Sequence, residues 1–369
     1  MTLADAQPFI PFGFEQPANG PMRDAVMDLS RLSLNQVRAS MPPVMAVEGG
    51  VRYQLYVPPK DQDPSYAVVV PAGFALSADA ASHVRNQLVQ SSLSTRLVYF
   101  PNSRVGASAY SLSPQERAEL ARGNRGPIAE RMARTLHGIG VERFSLYAHS
   151  QGTVTGAALG RLASERGTFG VETSTFLDPV TLRHWREEYG RRAQLAISLA
   201  VARRAVKRTV AAARDSAIPA LVDAHHGRAH PLDVLRRYGD LAADGMAALL
   251  RANQALRRLF VHGGFADDLS VILASNPEFR ATLVAGAQSY LLPQESFRRG
   301  LAHERLKPFR SRIDEVTVPG YGHEFPFNAV LSAILALRTL GGHLSNRHKS
   351  ATARSAEVAP GNIPQAGVV

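Results

Sequence analysis

Short apolar runs that stop at turn residues recur through this chain, and they constrain its fold more than any other feature. Ala67-Val68-Val69-Val70 ends at Pro71-Ala72-Gly73-Phe74, and Leu97-Val98-Tyr99-Phe100 ends at Pro101-Asn102. Neither run alternates apolar with polar residues, so each reads as a strand buried on both faces, as in a parallel sheet. Further strands are expected at Arg143 to Ala148, Glu172 to Leu177, Ala281 to Gly286 and Ile313 to Val318. Between them lie helix-like stretches over 80–93, 114–139, 152–165 and 294–306. Strands alternating with helices predict an α/β fold, a mostly parallel central sheet flanked by helices on both faces. Upstream, Val44 to Val47 and Val51 to Val57 flank Glu48-Gly49-Gly50, which predicts a hairpin.

The alternation breaks after Val180. From Thr181 to Asn276 the chain is rich in alanine and arginine, reads as helical and holds no convincing strand. One α/β core, 43–180 and 277–341, interrupted by an all-helical cap at 181–276, is the simplest organisation. Residues 1–42 form an N-terminal extension with one helix over Pro21 to Ser40, where Met22, Val26, Leu29 and Leu32 recur at helical spacing. A last core helix is expected from Pro326 to Leu340. The tail 342–369 is basic, then rich in alanine, proline and glycine, and is expected to be disordered.

The chemistry concentrates at Leu146-Tyr147-Ala148-His149-Ser150-Gln151-Gly152, which joins a strand to a helix opening on Gly152, Thr153, Val154, Thr155, Gly156 and Ala157. A serine at so sharp a turn takes strained backbone angles and needs small residues two positions to either side, here Ala148 and Gly152. This is the G-x-S-x-G nucleophile elbow with alanine in place of its first glycine. The turn pushes the Ser150 hydroxyl into the crevice above the sheet and aims the Gln151 N–H and a helix N-terminus at any oxyanion formed there. The plainer alternative is a βα turn in which Ser150 only caps the helix. A serine hydroxyl also needs a base. His323, in Pro319-Gly320-Tyr321-Gly322-His323-Glu324-Phe325, follows a strand and precedes the last helix; otherwise it is a loop histidine bonded to backbone.

On these residues the chain resembles the α/β-hydrolase superfamily from about Val44 to Leu340, with the helical segment as its cap. No closer subfamily is recognisable. The resemblance implies the chain order serine, acid, histidine, which Ser150 and His323 obey. It also likens Ala67 through Phe74 to the family's third strand and oxyanion loop, with Ala72 in place of the usual histidine and the Phe74 N–H as a second oxyanion donor beside Gln151. The acid departs from the pattern. The family places an aspartate after the next-to-last strand, and in Gly286-Ala287-Gln288-Ser289-Tyr290-Leu291-Leu292-Pro293 that position is Ser289. Some members carry the acid one strand earlier, where Asp178 stands; as Asp-Pro it could also simply make a turn. Glu295 is the next candidate. Glu324 adjoins His323, and a direct neighbour rarely reaches the ring nitrogen.

The function expected is a serine hydrolase, esterase- or lipase-like, acting on a small-molecule acyl substrate without a cofactor. A catalytically inactive scaffold used for binding, and an acyltransferase using the same serine, are the alternatives. The absence of cysteine excludes disulfides, thiolate metal sites and cysteine nucleophiles. His225, His226 and His230 cluster in a loop-like stretch, and only His226 and His230 share an i, i+4 relation, so no metal is expected there. No Walker-type glycine loop is present. The net charge of +11 would draw polyanions at low salt, yet no nucleic-acid-binding motif accompanies it. The basic amphipathic stretch Arg203 to Arg214 is either the solvated face of a cap helix or a weak contact for an anionic surface. With no basic and apolar leader at the N-terminus and no apolar run of about 20 residues, a cytoplasmic location is expected.

Overall fold

The computed structural model describes residues 44–48, 51–59, 63–73, 80–101, 112–182, 258–259, 264–289, 291–319, 321–323, 325–327 and 331–344. Within them the strands are β1 (Val44–Glu48), β2 (Val51–Tyr56), β3 (Tyr66–Pro71), β4 (Leu97–Phe100), β5 (Arg143–His149), β6 (Gly170–Leu177), β7 (Arg280–Gly286) and β8 (Ile313–Val318). The helices are α1 (Ala80–Leu93), α2 (Pro114–Ala121), α3 (Gly126–Gly138), α4 (Gln151–Arg166), α5 (Phe265–Ser275), α6 (Gln294–Leu301) and α7 (residues 331–344). All eight strands form one sheet in the order β1-β2-β4-β3-β5-β6-β7-β8. β2 runs antiparallel to both of its neighbours, and every other pairing is parallel.

The expected hairpin is the β1–β2 pair, whose register sets Glu48 opposite Val51 and leaves the two glycines between them. The apolar runs are buried on both faces because successive side chains of a strand point to opposite sides. Along β3, Ala67 and Val69 join one core, while Tyr66, Val68 and Val70 join the other. Helices α3, α4, α5 and α6 cover the first face; α1 and α7 cover the second. Two tyrosines inside the sheet have hydrogen-bond partners: the Tyr66 hydroxyl donates to Ser145 Oγ at 2.7 Å, and the Tyr147 hydroxyl donates to the Ser332 carbonyl at 2.7 Å.

Three helical stretches differ from expectation, one being the last helix, which continues past Leu340 to residue 344 and is preceded by a 3-10 turn at Phe325–Phe327. The single run at 114–139 is split into α2 and α3. The cause is local: Gly123 takes φ 92°, and Asn124 Oδ1 accepts from the Gly126 N–H at 2.8 Å, which restarts the chain as a new helix. Ser113 caps α2 in a reciprocal box with Glu116. The stretch expected to run from 294 to 306 stops at Leu301, where His303 N–H turns back onto the Gly300 carbonyl at 3.1 Å.

Of the segment read as a cap, residues 183–257 and 260–263 lie outside the described residues, as do the N-terminal extension, Phe74, the basic stretch 203–214, the histidines at 225, 226 and 230, Glu324 and the tail from 345. The described part includes α5, which packs into the main core through Phe265, Leu269, Ile272 and Leu273. Phe265 meets Phe176 of β6 edge to face, with ring centroids 5.0 Å apart. Among the described residues no helix is long and apolar enough to cross a membrane.

The topology also dictates where a site can form. From β3 the chain crosses to β4 on one side, then returns to β5 on the other. The crevice at the carboxyl ends of β3 and β5 is therefore a switch point, where open α/β sheets place their ligands.

Candidate active site

Ser150 stands at that switch point, between the last residue of β5 and the first of α4, with φ 57° and ψ −126°. A positive φ is rare for a residue with a Cβ and costs about 1–3 kcal/mol. Among the described residues only Ser94, Ser150 and Asp178 pay it outside glycine, and the latter two lie together in this crevice. The surroundings hold the turn in place. Ser150 N–H donates to the Leu177 carbonyl at 2.9 Å, while the Ser150 carbonyl accepts from the Thr153 hydroxyl at 2.6 Å. Gly152 is required: a Cβ there would lie 2.2 Å from the Pro71 carbonyl oxygen, because the end of β3 crosses directly over the elbow. Ala148 is buried with α4 against it at Gly156, so its methyl fits where a larger side chain would not.

Asp178 follows β6, the strand beside β5. It is fully buried, and its N–H donates to the Val284 carbonyl at 2.6 Å, which fixes the φ of 49°. His323 follows β8. Its loop rides over the end of β7, where a Cβ on Gly286 would lie 2.5 Å from the Gly322 carbonyl oxygen, and Gln288 N–H donates to the Tyr321 carbonyl at 2.8 Å.

These three elements bring one side chain each to a common point. His323 Nδ1 contacts Asp178 Oδ2, and His323 Nε2 lies 2.9 Å from Ser150 Oγ. A carboxylate only accepts, so the proton of the neutral imidazole resides on Nδ1. Nε2 is then an acceptor, and the Ser150 hydroxyl donates to it. All three side chains are buried, with Ser150 at 8% and His323 at 7% exposure.

Ser289 has a part that its position in the sequence does not announce. Its Oγ donates to Asp178 Oδ2 at 2.6 Å and accepts from the Leu292 N–H at 3.1 Å. The hydroxyl therefore supports the carboxylate of the preceding strand. Glu295 is elsewhere: it is exposed on α6 and pairs with Arg299. Gln151 opens α4 and is buried, while Phe74 and Glu324 lie outside the described residues.

His149 belongs to the site and was not singled out from the sequence. It is the residue before Ser150, it is buried, and its ring packs against that of His323 with centroids 4.8 Å apart. Its Nε2 lies 3.0 Å from the His323 carbonyl oxygen. Burial, with the nearby His323 adding to it, holds the His149 pKa well below the ordinary histidine value. The available signal was its place as the last residue of a strand buried on both faces.

No protein-family model matches the sequence, and no curated protein matches it. Solved structures do. The chain is similar to MGS-M2, an α/β hydrolase enzyme from a Medee basin deep-sea metagenome library, with 13% identity and a TM-score of 0.50 over 79% of this chain and 94% of that one. It is also similar to a thermophilic esterase from Thermogutta terrifontis, with 14% identity and a TM-score of 0.49 over 82% of this chain and 98% of that one. At such identities the likeness is one of fold. Joined to the strand order and the strained serine at the switch point, it establishes that this chain has the α/β-hydrolase fold.

Proposed function

We propose that this protein is a serine hydrolase that cleaves a carboxylic ester or related acyl bond through an acyl-enzyme. Ser150 Oγ attacks the acyl carbon while His323 Nε2 takes its proton. Asp178 holds the Nδ1 proton and stabilises the imidazolium that results. The tetrahedral oxyanion is received by the backbone N–H of Gln151, and the resemblance to the α/β-hydrolases gives the second donor's part to Phe74; donors of this kind are worth about 10²–10³ each in kcat. His323 then returns the proton to the leaving group, and water repeats the sequence to release the acid.

One observation carries this reading: the unbroken chain from Ser150 Oγ to His323 Nε2 at 2.9 Å, and from His323 Nδ1 to Asp178, within a buried crevice. A helix-capping serine would have no reason to point at a histidine that is itself backed by a carboxylate. The same chain speaks against an inactive scaffold, since Asp178 and Ser289 together do what the family's usual aspartate does. Turnover of p-nitrophenyl esters of graded acyl length tests the proposal. Wild-type protein should release p-nitrophenol and Ser150→Ala should not; equal rates in the two would overturn it.

A further inference from the structure

His149 and Ser150 are consecutive, yet both reach the same distant residue. Ser150 Oγ bonds the His323 ring at 2.9 Å, and His149 Nε2 lies 3.0 Å from the His323 carbonyl oxygen. A carbonyl only accepts, so His149 must carry its proton on Nε2 and donate it. The ring of His149 also lies against that of His323, tilted 37° at 4.8 Å, and meets Phe325 edge-on at 6.3 Å. We infer that His149 is a positioning residue for His323: it clamps the main chain of the base so that the imidazole stays aligned between Ser150 and Asp178. The inference rests on the reading of His323 as the base.

Three features make the clamp effective. First, its two ends come from residues 174 positions apart, so it ties the β8 loop to the elbow itself rather than to a neighbouring surface. Second, the loop is already held at Tyr321 by the Gln288 N–H, and a bond at the His323 carbonyl fixes the peptide on the far side of the residue that must not swing. Third, His149 stays neutral. Burial disfavours its charged form most, and the nearness of His323 and Arg85 disfavours it further, against a smaller opposite effect of the bond to the His323 carbonyl. When His323 becomes an imidazolium during turnover, the ring beside it therefore adds no second charge, and the donor remains in place. Misplacement of a reacting group by 1 Å can cost about 10²-fold in rate, so a clamp on the base acts on kcat rather than on substrate binding.

The test compares wild type, His149→Phe and His149→Gln in the full chain. Phenylalanine keeps the ring packed on His323 and deletes the donor. Glutamine returns a carboxamide N–H at about the reach of Nε2. Steady-state kinetics on a p-nitrophenyl ester should show kcat falling about tenfold or more in His149→Phe with KM unchanged, and most of that loss recovered in His149→Gln. Proton NMR supplies a readout independent of turnover. The low-field resonance of the His323 Nδ1 proton, shared with Asp178, should broaden or shift in His149→Phe and return in His149→Gln. A folded His149→Phe with wild-type kcat and an unchanged resonance would overturn the clamp, as would a His149→Gln no better than His149→Phe. Should the phenylalanine variant not fold, glutamine against the shorter asparagine decides, since only glutamine reaches the carbonyl; equal behaviour of the two would overturn the inference. Wild type that fails to turn over ester, but shows the resonance responding as described, would sink the hydrolase reading and leave the clamp standing.

Discussion

Asp178 and Ser289 stand 2.6 Å apart at the ends of adjacent strands, and the geometry allows the acid to be moved from one to the other. Asp178→Gly removes the carboxylate and suits the backbone, since the residue sits at φ 49°, which glycine adopts without strain. The imidazole then has no partner to fix its tautomer, and kcat should fall about 10⁴-fold, the loss expected when a triad aspartate is disabled. That is about 5.4 kcal/mol of transition-state stabilisation at 1.36 kcal/mol per decade. Ser289→Asp in the same chain supplies a replacement. A carboxylate oxygen extends about 1.2 Å beyond the site of the serine Oγ, towards the space that Asp178 Oδ2 has vacated beside His323 Nδ1. The double variant should therefore recover about two of the four lost decades, or about 2.7 kcal/mol. Ser289→Asp alone should not help, because two carboxyl groups would compete for one site and one of them would stay protonated. The assay is ester turnover by the purified variants, with circular dichroism to show that each is folded. A folded double variant no faster than Asp178→Gly would refute the reasoning, and so would an Asp178→Gly of wild-type rate.

Other consequences can be checked in turn. Gly152→Ala sets a methyl 2.2 Å from the Pro71 carbonyl, where only backbone could yield; a loss of about 1–3 kcal/mol in denaturant unfolding is expected, with ester turnover abolished because the elbow must shift. His149 has its folded pKa below the ordinary 6.5, so the stability it confers is present above pH 6.5 and is lost as pH falls below it, by at most about 1.4 kcal/mol per pH unit. Wild type should therefore lose stability faster than His149→Gln between pH 7 and pH 5, and parallel curves would contradict this. Asp268 has the opposite sign: burial raises its pKa from 3.8 to about 6, so its contribution is fully present below pH 3.8 and is lost as pH rises through 6. From pH 4 to pH 8, Asp268→Asn should gain on wild type by roughly 2–3 kcal/mol in urea titrations.

Much of this was legible in the sequence because it is local. The apolar runs ending at Pro71 and Pro101, the Gly-Gly turn after Glu48 and the small residues around Ser150 each write their backbone conformation into a few adjacent positions. The place of His323 after the last strand, and the lack of a carboxylate at 289 that directed attention to Asp178, pointed to two residues that the fold brings beside Ser150. Other features depend on tertiary contact. That Ser289 donates to Asp178 across 111 positions, or that His149 meets the His323 main chain across 174, leaves no mark on either segment alone. The split between α2 and α3 was missed because both halves keep a helical pattern and the break rests on one glycine and one asparagine side chain. Helix α5 sits in a stretch of helical character that the sequence does not divide, yet Phe265 and Leu269 belong to the sheet's own core.

The central claim is that the Ser150 hydroxyl is activated by His323. A fluorophosphonate probe reacts only with such a serine, and intact-mass and peptide mass spectrometry locate the adduct. The account predicts a single adduct on Ser150 in wild type and none in Ser150→Ala or His323→Ala. A folded wild-type protein that does not label, or one labelled equally after His323→Ala, would contradict it.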